Sequence, residues 1–151
     1  MEAGKYKTIA SPVTGTFKDR GSKFLAYAYP VERAQEIKDR LRELKKEHAK
    51  AVHHCYAWRL GTDGSQYRAN DDGEPAGSAG KPILGQIDSF GLTNVLVVVV
   101  RYFGGTLLGI PGLINAYKTA TQEAFHTATT TEKWVQQNAV LTFDYPVMGE
   151  V

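Results

Sequence analysis

Val95-Leu96-Val97-Val98-Val99-Val100 runs without interruption into Arg101-Tyr102-Phe103-Gly104-Gly105-Thr106. The six apolar residues do not alternate with polar ones, so neither face of a strand formed here can be left to water. This pattern predicts a central strand within Leu92 to Tyr102, covered on both sides. The glycines that follow form a turn into a long helix, expected over Leu107 to Thr127. Gly112, Ala116, Ala120, Ala124 and Ala128 recur at four-residue spacing on it. A stripe of such small residues lets a helix lie close against a sheet.

Outward from this stretch the period changes several times. Tyr6 to Pro30 reads as β structure broken by turns at Ser11-Pro12 and Asp19-Arg20-Gly21-Ser22, with Phe24 to Tyr29 rich in strand formers. Ala34, Ile37, Leu41, Leu44 and His48 then recur at helical spacing, with charged residues between them, which predicts an amphipathic helix. Ala51 to Leu60 is a strand candidate. Residues 61 to 82, with Gly61, Gly64, Gly73, Gly77 and Gly80 beside Pro75 and Pro82, read as one long loop, and such loops are often functional. Ile83 to Phe90 is a short helix candidate, and Ala139 to Tyr145 alternates like a further strand. That last strand either joins the main sheet or opens a second domain.

The 151 residues fit one domain able to bury a core, and the ordinary composition argues against disorder. Val95 to Val100 is too short to span a bilayer, and no charged-then-apolar leader follows Met1. With a single cysteine there is no internal disulfide framework, and the expected location is the cytoplasm, with no membrane partner. Charge is distributed unevenly. Through Arg68 there are 14 Lys/Arg against 8 Asp/Glu, whereas the remainder has 4 against 8. A basic first half favours a polyanion, or else belongs to a solvated helix face laced with ion pairs. The cations that would make nucleic-acid contacts are Lys18, Arg20, Lys23, Lys38, Arg42, Lys45 and Lys46.

Two segments carry the candidate chemistry. Asp71-Asp72-Gly73-Glu74 crowds three carboxylates, which need water, a cation or cationic side chains. They can offer oxygen ligands to Mg²⁺, although not at EF-hand spacing, or they can cap turns by accepting backbone N–H groups. Arg101, after so apolar a strand, needs an acidic partner, and the 71–74 cluster is the obvious one. Gly104 and Gly105 permit close backbone approach ahead of a helix terminus that can receive an anion. The spacing matches neither a Walker loop nor a dinucleotide fingerprint. A structural Arg–carboxylate pair and a ligand site both remain open. In His53-His54-Cys55, His53 and Cys55 share one strand face, allowing either a Cys–His nucleophile or a simply buried cysteine.

Taken in order, Ser22-Lys23-Phe24, His53 with Cys55-Tyr56-Ala57-Trp58, Asp71 through Pro82, Arg101-Tyr102-Phe103-Gly104-Gly105 with Leu108-Gly109, Gly112-Leu113 and Ala116-Tyr117 resemble the YigZ/IMPACT family over about residues 20 to 125. The resemblance implies an α+β fold with a ribosomal-protein-like sheet and two helices. That type is seen in the fourth domain of elongation factor G and in kinases of the galactokinase kind. It also implies a ferredoxin-like second domain. Residues 1–135 would be the family's N-terminal domain, and 136–151 a linker and the first strand of a truncated second one. Ser78 replaces the family's usual Thr. Pro111-Gly112 stands where a Gly-Gly pair is usual, and proline there fits only the first turn of a helix.

The resemblance favours a binding module acting in translation or its regulation, in contact with RNA, the ribosome or a translation factor. Eukaryotic IMPACT relatives are linked to translational control through the general amino-acid-control pathway, by way of a separate N-terminal domain. The basic first half and the aromatic candidates Tyr56, Trp58, Tyr67 and Tyr102 fit this reading, which carries no cofactor and no metal. Its functional cluster would be Asp71, Asp72, Glu74, Arg101, Tyr102, Gly104, Gly105 and His53. The alternative is a hydrolase or phosphotransferase using the Asp/Glu/Arg cluster, with or without Mg²⁺.

Overall fold

The central strand is covered on both faces in the computed structural model, which describes residues 4–134. The elements in chain order are β1 (Lys5–Ile9), β2 (Val13–Asp19), β3 (Ser22–Pro30), α1 (Ala34–Glu47), β4 (His53–Leu60), β5 (Gln66–Asn70), α2 (Gly80–Ser89), β6 (Val95–Tyr102), α3 (Gly109–Thr127) and β7 (Thr130–Trp134). Five strands form an antiparallel-paired sheet in the order β2-β3-β6-β4-β5. Both long helices and the shorter α2 pack on it, giving an α+β architecture.

β6 explains its own sequence. Val95, Val97 and Val99 face α2 and α3, in a core with Phe24, Ala26, Cys55, Ile83, Ala116 and Tyr117. Leu96, Val98 and Val100 face α1, in a second core with Ile37, Leu44 and Leu60. With two cores to fill, the strand has no solvent face on which to place a polar residue.

α3 lies unusually close to β2. A Cβ on Gly15 would stand 2.8 Å from the Ala120 carbonyl oxygen and would also strike the Ala124 backbone. Ala116, Ala120 and Ala124 are fully buried, so the small-residue stripe does pack against the sheet. Pro111 falls in the first turn of α3, where its missing N–H costs no helical bond.

Several boundaries differ from the sequence expectation. The loop expected over 61–82 contains β5, a polar edge strand pairing Gln66–Asn70 with β4. The short helix starts at Gly80 rather than Ile83, and the long one at Gly109 rather than Leu107. β7 was not anticipated. It pairs with β1 in a two-stranded ribbon, tied to the sheet where Thr93 N–H donates to Lys7 O and Thr8 Oγ1 donates to Asn94 O. The expected strand Ala139 to Tyr145, and with it the start of a ferredoxin-like second domain, lies outside the described residues. Among those residues no helix is long and apolar enough to cross a membrane.

Candidate functional site

The two glycine-bearing segments meet at the end of the sheet where β6 gives way to its turn. Alternation along β6 turns Arg101 toward the α2–α3 face, where its side chain is only 6% exposed beside Glu74 at 3%. Arg101 Nη1 donates to both Glu74 carboxylate oxygens at 2.8 and 3.1 Å, and Nη2 donates to Ser22 Oγ at 3.4 Å. The guanidinium is flanked by the Phe24 and Phe103 rings, 5.5 and 5.6 Å from their centroids. The Tyr117 hydroxyl, rising from α3, donates to Glu74 Oε2 at 2.5 Å. Burial, the neighbouring Cys55 and Glu74 hold that hydroxyl well above the ordinary tyrosine value, so it stays a donor.

The other two acids are also engaged. Asp71 accepts the Gly77, Ala79 and Gly80 amides at 2.9, 3.2 and 2.8 Å, and so closes the N-terminal turn of α2 from a distance. Asp72 Oδ2 accepts the His54 amide at 2.7 Å. Its carbonyl accepts His53 Nδ1–H at 2.7 Å, leaving His53 Nε2 3.4 Å from Glu74 Oε1. Among the described residues, no group of three or more His, Cys, Asp or Glu is arranged to hold a metal ion.

Cys55 is fully buried, and its Sγ lies 3.1 Å from Asp71 O and 3.3 Å from the Tyr117 hydroxyl. Burial pushes the thiol up, and the nearby carboxylates push it further against the Tyr117 hydrogen bond. A thiol held this way is a poor nucleophile.

Gly104 completes the cluster. Its N–H donates to Ser22 Oγ at 3.2 Å, and a Cβ there would strike the backbone of Gly21 and Ser22. Gly105 adopts φ +88°, which its lack of a side chain allows. Ser22 and Tyr117 were not singled out by the local reading of charge and spacing. The available signals were a serine beside a glycine turn and one polar-tipped aromatic next to a stripe of small residues. Tyr102, expected with this cluster, points to the opposite face, where its hydroxyl is 2.6 Å from His48 Nδ1. The other ring nitrogen of His48 lies 2.7 Å from the Tyr27 hydroxyl.

The basic residues are spread over several surfaces. Lys18 and Lys23 face each other across β2 and β3, and Lys23 is in register with Tyr102. Arg20 is paired with Asp19, and Arg42 with Asp39 at 2.6 Å. Lys38, Lys45 and Lys46 project from α1 and make no ion pair among the described residues.

Asp71 gives this site a testable acid dependence. Burial alone would raise its pKa, but the Gly77, Gly80 and Ala79 amides outweigh burial and hold the carboxyl below its ordinary value. Its stabilising contribution is therefore present above the unfolded-state value near pH ~3.9 and is lost as pH falls through the lower folded value. Asp71→Asn is expected to cost about 1.5–3 kcal/mol at neutral pH, because it removes the charge and leaves one of the two accepting oxygens replaced by a donor facing an amide. In urea titrations the gap to the parent protein should close below pH ~4. A gap independent of pH would show that the charge does not matter.

Fold and cluster together define an α+β domain whose glycine turns are locked by a buried Arg–Glu pair. The family model for the Impact N-terminal domain matches residues 20–125, and the chain belongs to the IMPACT family. It is 38% identical over 138 residues to the IMPACT family member YigZ of Escherichia coli (strain K12), covering 90% of this chain and 68% of that protein. It is 40% identical over 122 residues to the Protein IMPACT homolog of Saccharomyces cerevisiae, covering 78% of this chain and 45% of the relative. A crystal structure of a hypothetical protein superposes with a TM-score of 0.84 at 37% identity, covering 88% of this chain and 66% of the other. The chain thus spans between about half and two thirds of the length of these proteins.

Proposed function

We propose that the domain is a binding module acting in translation or its regulation, through contact with RNA, the ribosome or a translation factor. The translational setting rests on the family resemblance. The observation that carries the binding reading is the internal engagement of every acid in the cluster. Asp71 holds a helix terminus, Asp72 holds the start of β4, and Glu74 is neutralised by Arg101 and bonded by Tyr117. Such a network rigidifies a surface, and it leaves only Asp72, bonded through one carboxylate oxygen and with its side chain 40% exposed, to serve a hydrolase or phosphotransferase. Meanwhile Lys18, Lys23, Lys38, Lys45 and Lys46 are exposed and unpaired among the described residues, as cations that meet phosphate are.

An anisotropy titration against structured RNA over a salt series tests this. Affinity should fall steeply with salt, and neutralising Lys45 and Lys46 together should flatten the log–log slope by about two units. The fold should persist, because exposed helix cations contribute little to stability. Absence of saturable binding at low salt, or binding indifferent to salt and to these lysines, would remove RNA from the partners and favour a protein.

A further inference from the structure

α1 sorts its charges by flank. It crosses above β6 in the connection from β3 to β4, so one flank overlooks β3 and the other β4 and β5. Glu36, Arg40, Glu43 and Glu47 lie four, three and four residues apart and share one flank. The Arg40 guanidinium sits 4.5 Å from the Tyr29 ring centroid, and Glu36, Arg40 and Glu43 border a cleft with Pro30 and Val31. That places the acid-rich flank over β3. Lys38 and Lys45, two turns apart, fall on the opposite flank, toward β4 and β5.

The sheet beneath this second flank has a particular composition. Tyr56 and Trp58 of β4 pack against the α1-side core and are only partly buried there. Arg68 is in register with Trp58, and Asn70 with Tyr56, so both share that face. Arg68 is exposed, on an edge strand without an acidic residue. Two aromatic rings on a sheet, bordered by cations from the helix and the edge strand, make a platform for bases with charges for the backbone. Lys18 and Lys23 lie beyond the acidic flank and stand apart from this strip.

We infer that the strip floored by Tyr56 and Trp58 and bordered by Lys38, Lys45 and Arg68 is a binding site for single-stranded nucleic acid. This rests on the reading of the domain as an RNA-contacting module and assigns the surface and the strand state. Bases stack on the two rings, and phosphates meet the three cations. A duplex keeps its bases paired and stacked, so it gains only the phosphate contacts.

The test uses a labelled 12-nucleotide oligouridylate and a blunt RNA duplex, with the Trp134→Phe protein, in which Trp58 is the only remaining tryptophan. The single strand should bind more tightly than the duplex and quench Trp58 emission. Combining Lys38→Gln, Lys45→Gln and Arg68→Gln should weaken oligouridylate binding at least about tenfold and lower the salt slope by about two. Trp58→Tyr should retain binding, while Trp58→Leu should lose it with the circular dichroism of the fold preserved. Should Trp58→Leu fail to fold, quenching in the Trp134→Phe protein still reports stacking. If Lys18→Gln with Lys23→Gln abolishes binding and the triple variant does not, the site lies elsewhere and the module reading stands. Preference for the duplex, or for polyglutamate over oligouridylate, also overturns the inference. If no RNA of any kind binds at low salt, the RNA reading of the module falls as well.

Discussion

Arg101→Met is expected to lower stability by about 3–5 kcal/mol, the cost of leaving a buried charge without its partner. Glu74 would keep the Tyr117 hydroxyl and the His53 contact, but its carboxylate is 97% removed from water and, among the described residues, Arg101 is the only Lys or Arg paired with it. For a domain of this size such a loss is a large share of the total. A urea titration should show the midpoint falling with the slope unchanged. Adding Glu74→Gln to Arg101→Met should recover much of the loss, since two neutral groups need no mutual compensation. A single-variant cost below about 1 kcal/mol would mean that the pair does not clamp the two segments.

Gly15→Val, at the one glycine within the described strands, should cost at least about 3 kcal/mol, the upper end of overpacking. The atoms a new side chain would meet are the main chain of α3 at Ala120 and Ala124, which cannot rotate aside. α3 would have to lift from β2 and take Ala116 and Tyr117 with it. Gly85 supplies the control. It sits inside α2 with open space around its missing Cβ, so Gly85→Ala should stabilise the protein by about 0.5–1 kcal/mol. If thermal melts show the two substitutions to be equivalent, the close approach of helix and sheet is not limiting.

Features that depend on burial were the most legible in the sequence. β6 had to be central because it offers no polar face, and the alanines of α3 had to meet a sheet because nothing larger recurs there. The Arg101 partnership was legible for the same reason, since a charge that follows an apolar strand must be neutralised. β5 escaped notice because Gln66 to Asn70 is an edge strand with little to bury, so it carries no apolar alternation. The start of α2 was hidden because its cap comes from Asp71, nine residues before Gly80. β7 was missed because Thr130 to Trp134 pairs only with β1 and is mostly exposed. Tyr102 was grouped with Arg101 by its place in the run Arg101-Tyr102-Phe103-Gly104-Gly105, although alternation along the expected strand sets adjacent residues on opposite faces.

The position of β6 also orders events during synthesis. It is the last of the five sheet strands to be made, yet it stands in the middle, between β3 and β4. Until Val95 to Tyr102 has emerged, the β2–β3 and β4–β5 hairpins have no common partner, and each presents an open edge. The residues that pair across this gap, Pro30 with Val95 and His53 with Arg101, are far apart along the chain, which slows closure of the sheet. A nascent chain stalled before Val95 therefore holds two unjoined ribbons and lacks the α3 helix that covers β2 and β3, the state in which it is most exposed to misassociation.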